Sequence, residues 1–317
     1  LAISEKWSLF TSNFDMKQFT TKLIFLLVSL LLWFLLLEGL SRQLFLSKSD
    51  LNIKLNYLED KKSSTEILVF GHSQMEAAVS PSELDAPSYN LAFNSQDFYY
   101  DHQLFSRYQD IPSLTTVMLG LSWFSLGYDE SEKAMHLVTD YYREAKIKPA
   151  NGPTILYLLS YSTFYKNRAK FLQTLPDLFK KLPSPSLSNK LASDGSRVRT
   201  YTPLSHSEWI AHSQQRAKYH QSIYSQSLES QTLSRIEAIL SVADKKNLCV
   251  LLFTPPYPKA YRDGFPDNWK SDFDKKLLTL KRKYPSIHVL DHSALEGFNQ
   301  EDYRDGDHLN EKGAIKF

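Results

Sequence analysis

Five short apolar runs constrain this chain most: Ile67–Phe70, Tyr89–Phe93, Thr116–Gly120, Leu248–Phe253 and Ile287–Leu290. Several are continuous rather than alternating. A strand with one wet face alternates apolar and polar residues, whereas a strand buried on both faces has no polar side to show. Helical stripes stand before the last two runs: Leu233, Ile236, Ile239, Leu240 and Ala243, then Phe273, Leu277 and Leu280. The alternation predicts an α/β domain, a doubly wound parallel five-stranded sheet with helices on both faces. In such sheets ligands bind outside the carboxyl ends of the strands. Ser73, Asn94, Ser122 and Thr254 follow runs at that edge.

The stretch of about 128–225 is too long for an ordinary crossover. It reads as a helical insertion, with helices near 131–147, 155–182 and 207–224. Pro183 to Ser207, rich in Ser, Pro and Asn, reads as a mobile loop. The insertion serves as a cap or partner-binding subdomain, or as plain helical packing. Lys281-Arg282-Lys283 falls on the solvated face of the helix that buries Phe273, Leu277 and Leu280. The chain begins at Leu1 and ends at Phe317, a few residues into a helix expected from about Asn310, so a fragment lacking one terminal helix is expected.

Leu23 to Leu37 is apolar throughout except for Ser29. Fifteen residues of helix span ~22 Å, short of a ~30 Å hydrocarbon core. Extension over 22–40, with Lys22 reaching outward, brings the helix near the needed length. A cleaved signal peptide ending near Gly39-x-Ser41 is the rival reading. The long leader and the bulk of Leu and Trp favour an uncleaved anchor that contacts membrane lipid. The division expected is therefore a tail over 1–21, a transmembrane anchor over 22–40, a polar juxtamembrane stalk over 41–62 and a domain over 63–317. Lysines and arginines flank the run on both sides, so the positive-inside rule does not orient it. Export of the C-terminal part is expected because a lone N-terminal anchor commonly acts as an export signal.

Thirty-seven basic and 35 acidic residues leave a net charge of +2, so no global field favours nucleic acid. The single cysteine, Cys249, excludes an intramolecular disulfide.

Two short segments carry chemistry. Gly71-His72-Ser73-Gln74 follows the first run, and Asp305-Gly306-Asp307-His308-Leu309-Asn310 stands near the C-terminus. Gly71 permits a tight turn. A serine opening a helix has backbone N–H groups beside it, useful for an oxyanion, although an N-cap serine without chemistry has the same look. His308 can take a serine proton, and Asp305, three residues earlier, can hold its tautomer. His72 adjoins Ser73, so its side chain is expected to diverge from the hydroxyl. His292 is a competing base. Asp305, Asp307 and His308 lack further ligands at metal-binding spacing, so no metal and no other cofactor is expected. Phe98-Tyr99-Tyr100 are candidates for stacking on sugar faces or for a helix core.

Taken together these segments resemble the SGNH hydrolase superfamily, also called GDSL-like, over roughly 64–317. Gly71-His72-Ser73-Gln74 is similar to its nucleophile block. Tyr89 to Ser95 is similar to its second block, with Ser95 where a glycine usually donates an oxyanion-hole N–H. Leu119-Gly120-Leu121-Ser122-Trp123 falls where the third block normally brings an asparagine, and none stands there. Asn94 is the candidate side-chain substitute. Asp305 and His308, with Leu309, Asn310 and Gly313, are similar to the final block.

The resemblance implies a flavodoxin-like sheet, a Ser73–His308–Asp305 triad and an oxyanion hole from the Ser73 and Ser95 N–H groups with Asn94. A membrane-anchored member with an altered hole is similar to the branch that includes the D-alanyl transfer protein of teichoic acid synthesis and alginate O-acetylation proteins. That likeness implies esterase or O-acyltransferase chemistry on an acylated glycan or polymer. It also implies a multi-spanning membrane-bound O-acyltransferase as partner, and a location on the outer face of the cytoplasmic membrane. The competing expectation is a non-catalytic binding or scaffold protein that keeps the fold.

Overall fold

The computed structural model describes residues 16–45, 49–129, 135–148, 150, 162–174, 191–197 and 204–317. These fall into two compact units, one within 1–47 and 158–184, the other within 48–157 and 185–317.

In the first unit, α1 (Met16–Phe45) carries the apolar run. It is longer than the 22–40 expected, and one stretch of it, Met16–Arg42, is long and apolar enough to cross a membrane, its most apolar 18 residues having mean hydropathy 2.6. Thirty residues of helix measure about 45 Å. The hydroxyls of Thr20, Thr21 and Ser29 donate to carbonyls four residues back, leaving no polar side chain of theirs unsatisfied along the helix. Glu38 ends the run and caps the helix Thr163–Thr174 (α6, named in chain order). Its carboxylate accepts from the Ser162 hydroxyl at 2.7 Å and from the N–H groups of Thr163 and Phe164 at 3.0 Å each.

The second unit is the α/β domain. Its strands are β1 (Ile67–Phe70), β2 (Ser88–Asn90), β3 (Thr116–Gly120), β4 (Cys249–Thr254) and β5 (His288–Asp291). All pair in parallel in the order β2-β1-β3-β4-β5. The order reverses between β1 and β3, and the crevice at that switch point is the expected ligand position. Its helices are α2 (Asp50–Lys61), α3 (Ser73–Ala78), α4 (Phe98–Tyr108), α5 (Met135–Ala145), α7 (His206–Ile223), α8 (Glu229–Lys245), α9 (Lys259–Arg262), α10 (Asp267–Lys283) and α11 (Glu311–Lys316).

Alternate strand residues serve two cores. Leu68, Phe70, Val117, Leu119, Val250 and Leu252 pack with apolar residues of α4, α8 and α10. Val69 and Phe253 pack on the other face with Met75 of α3, Val79 and Ala92. β5 is an edge strand and tolerates exposed residues, which moves its observed span one residue past the apolar run. β2 is shorter than the run 89–93, because Leu91–Phe93 leave the strand and turn, still buried, toward the switch point.

Three expectations are corrected. The stalk over 41–62 is not a stalk: α1 continues to Phe45, and α2 buries Leu51, Leu55 and Leu58 in the domain core. Lys54 on α2 is fully buried, donates to the Ala92 carbonyl and lies 3.4 Å from Glu76 of α3. The insertion over 128–225 is not one subdomain. α5 and α7 belong to the α/β unit, while α6 belongs with α1. α5 buries Tyr141, stacked on Tyr100 at 3.8 Å, which explains its allegiance. Finally, the loop over 183–207 is docked where described. Asp194 accepts the Asn90 N–H at 3.0 Å through its carbonyl, and Arg197 meets Glu76 at 3.2 Å and Asp50 at 2.9 Å. The rest of that loop, and much of the helix expected over 155–182, lie outside the described residues.

Candidate functional site

The first βα turn sets the serine. Gly71 adopts φ +133°, a conformation side chains rarely take, and a Cβ there would meet Met75 at 2.6 Å. His72 is extended and caps α3, accepting the Gln74 N–H at Nδ1 (3.4 Å). Ser73 opens the helix, half-buried at the carboxyl edge of the sheet.

The last loop brings the base. His308 Nε2 lies 2.8 Å from Ser73 Oγ, and His308 Nδ1 lies 2.8 Å from Asp305 Oδ1. Asp305 is fixed in turn by the N–H groups of Asp307 (3.2 Å) and His308 (3.0 Å). Burial alone would pull the imidazole down, but Asp307 and then Asp305 outweigh it and raise His308 to about 9. Asp305 is lowered despite its burial, chiefly by the charge of His308. In this chain of bonds the imidazole can take the serine proton while its Nδ1–H stays on the carboxylate side. Ser73 is thus brought together with Asp305 and His308, which lie more than 230 positions away in sequence.

His292 does not compete. Its ring packs against Phe317, centroids 5.4 Å apart, in a different part of the domain. His72 turns to Ser122, Nε2 to Oγ 2.8 Å, as the expected divergence requires. Burial lowers His72 to about 3, so it is neutral. With Nδ1 accepting, Nε2 carries the proton.

The side on which an oxyanion hole is expected is built differently. Ser95 has φ +58°, in the left-handed region that favours glycine. Asn94 is exposed at the same turn. Among the described residues, neither the Ser73 nor the Ser95 N–H donates to a protein acceptor. The loop is held from behind. Phe93 N–H donates to the Gly71 carbonyl at 3.0 Å, and buried Asp101 accepts both the Gly71 N–H (3.0 Å) and the Gln96 amide (2.6 Å). Ser122 stands where the resemblance calls for an asparagine. Its hydroxyl is committed to His72 and to Gln74 Oε1 at 2.5 Å. Phe98 and Tyr100 are core residues of α4, which settles two of the three aromatics against sugar stacking.

Sequence reasoning missed the buried polar network under the serine. The Gln74 amide accepts from Ser122 and Tyr257 (3.1 Å) and donates to Asp307 Oδ2 (3.1 Å) and Tyr261 (3.4 Å). His220 Nδ1 donates to the Tyr261 hydroxyl at 2.6 Å, because its Nε2 must accept from Arg216 at 3.1 Å. Burial lowers His220 to about 3. One signal was legible: Trp209, His212, Arg216 and His220 recur at helical spacing on α7. All face this region. Trp209 donates to the Asp305 carbonyl (3.2 Å), and His212 accepts the Gly306 N–H (3.0 Å). Gly306 is required there, since a Cβ would lie 2.6 Å from the Ser213 nitrogen.

Asp305, Asp307 and His308 place one ligand-type atom each within 4.8 Å of the others. Those atoms are already engaged by Ser73, Arg216, Gln74 and one another. The cluster is a poor cation site as it stands. No family model matches the chain, and no curated protein matches its sequence. Fold and site define the class: a parallel α/β domain with a hydrogen-bonded serine–histidine–aspartate chain at its topological switch point.

Proposed function

We propose that this is a membrane-anchored serine acyl-ester hydrolase or O-acyltransferase of the SGNH type, acting on a cell-envelope or exported glycan. The observation that carries the reading is the 2.8 Å contact of His308 with Ser73, continued at 2.8 Å to Asp305. Ser73 Oγ attacks the ester carbonyl carbon as its proton passes to His308 Nε2. The proton then goes to the leaving alcohol, and the acyl group stays on Ser73. The Ser73 and Ser95 N–H groups hold the oxyanion, with Asn94 on the same turn as the candidate side-chain donor. Water or a glycan hydroxyl, deprotonated by His308, takes the acyl group from Ser73.

α1 anchors the domain in the cytoplasmic membrane with the domain outside, beside a multi-spanning O-acyltransferase and within reach of a polymer emerging from a membrane-bound synthase. The apolar helix supports the anchor; the side rests on the tendency of a lone N-terminal anchor to act as an export signal, and the partner on the likeness to the envelope acylation branch.

A second reading, a binding or scaffold protein on the same fold, is favoured by the absent asparagine and by the committed Ser122 hydroxyl. An activated acetyl ester separates the two. The full chain in detergent should show an acylation burst, lost in Ser73→Ala with no change in melting temperature. Absence of turnover in the wild type favours the scaffold. For location, an alkaline phosphatase fusion after residue 317 should be active and membrane-bound; activity in the soluble fraction would rule out the anchor.

A further inference from the structure

We infer that Asp307, held by Arg216, is a second carboxylate partner of the His308 ring and positions it for proton transfer with Ser73. The inference rests on the reading of Ser73 as a nucleophile. Asp307 Oδ1 lies 3.3 Å from His308 Nδ1, the same nitrogen that Asp305 approaches at 2.8 Å. The Asp307 side chain is wholly inaccessible, so its charge needs internal partners. It has them. Arg216 grips it with two bonds, Nε to Oδ1 at 2.8 Å and Nη2 to Oδ2 at 3.2 Å, and Gln74 adds a third at 3.1 Å.

This fork-on-carboxylate geometry sets the position of the acid and not merely its presence. Gln74 neighbours Ser73, so one amide ties the acid to the nucleophile turn. Arg216 comes from α7, so the helix that carries it takes part in aligning the base.

The charges explain why a second acid is useful. With a neutral imidazole, Asp305, Asp307 and Arg216 sum to one negative charge. When His308 takes the serine proton, the cluster becomes neutral. The remaining ionisable groups facing it do not disturb this count. His72 from the β1 turn and His220 from α7 are neutral, and Tyr257 and Tyr261, beyond β4, are raised well above their usual range by burial. His212 of α7 is engaged with the Gly306 N–H. An Arg–Asp pair with a structural role alone would not aim an oxygen at the imidazole, and removing both of its charges together would leave the titration of His308 nearly where it was.

The test uses the full chain in detergent with histidine ring carbons labelled for NMR, and the His308 signal identified by its loss in His308→Gln. Asp307→Asn keeps the shape and removes the charge. The His308 midpoint should fall by about 1–2 units, and the pH midpoint for Ser73 labelling by a fluorophosphonate should fall with it. Because Asp307→Asn leaves Arg216 without its carboxylate and risks the fold, the double variant Asp307→Asn/Arg216→Gln is measured beside it. It removes both charges together, and the midpoint should fall there too. An unchanged midpoint in a variant that melts cooperatively overturns the inference. If the wild type takes no label while the NMR midpoint falls as stated, the pairing of Asp307 with His308 stands and the nucleophile reading fails.

Discussion

The two halves of the candidate site are built on opposite plans. The proton-transfer half is made of side chains whose positions are over-determined. His308 contacts Ser73, Asp305 and Asp307, and Asp307 is gripped by Arg216 and Gln74. The oxyanion half is made of backbone, with an exposed Asn94 and a serine in a glycine conformation at 95. Its rigidity comes from behind, through Asp101, Gln96 and the Lys54 contact with the Ala92 carbonyl. The lesson is that side-chain chemistry and backbone chemistry tolerate substitution differently. On the proposed reading, changing a group in the first half should delete a function, whereas changing Asn94 or Ser95 should only adjust what the backbone supplies.

The sharpest break of the comparison is Asp305→Asn. It leaves the shape and removes the charge that holds the Nδ1–H, so ester turnover should fall by roughly 10⁴-fold, as for the corresponding change in other triads. A loss under tenfold would mean that Asp307 alone suffices and that the two acids have exchanged roles.

Lys54→Ala comes next and strikes the support of the oxyanion loop. It removes a buried cation from Glu76 and a donor from Ala92, while Arg197 still pairs with Glu76. Breaking a buried pair costs about 3–5 kcal/mol, and the remaining Arg197 points to the low end of that range. Chemical denaturation of the full chain measures it. A change below about 1 kcal/mol would show that the loop does not depend on α2.

The smallest effects should come from the turn itself. Asn94→Ala separates the two parts of the proposed hole: a change in turnover of less than about threefold means that the Ser73 and Ser95 N–H groups suffice, whereas loss of a working side-chain donor costs about 10²–10³. Ser95→Gly relieves a left-handed conformation that costs about 1–2 kcal/mol in a non-glycine residue but frees the unfolded chain. Denaturation should show a gain of no more than about 1 kcal/mol, and a loss would mean that the serine side chain is needed at the turn.

Legibility in the sequence follows the same division. The strands could be read because burial on both faces leaves continuous apolar runs, and only their ends moved, as at β2 where Leu91–Phe93 are buried without being strand. Ser73, Asp305 and His308 could be read because each half of their chemistry is local, a turn before a helix and two residues three apart. Asp307 reads in the sequence only as a candidate metal ligand, since nothing nearby announces Arg216 or Gln74, 91 and 233 residues away. α2 reads as a stalk in the sequence because Lys54, Glu59, Asp60 and Lys61 make it look solvated. Its spacing of Leu51, Leu55 and Leu58 held the correct answer, and a fully buried lysine is not foreseeable without Glu76 beside it.

The central claim is that Ser73 is activated by His308. Its most direct measurement is the rate at which a fluorophosphonate labels the full chain, followed by peptide mass mapping across pH. Activation needs the neutral imidazole, and the two carboxylates raise His308 to about 9. Labelling should therefore be confined to Ser73, be lost in His308→Gln, and accelerate as pH rises through about 9. Label on another serine, or a Ser73 rate that His308→Gln leaves unchanged, would contradict the account.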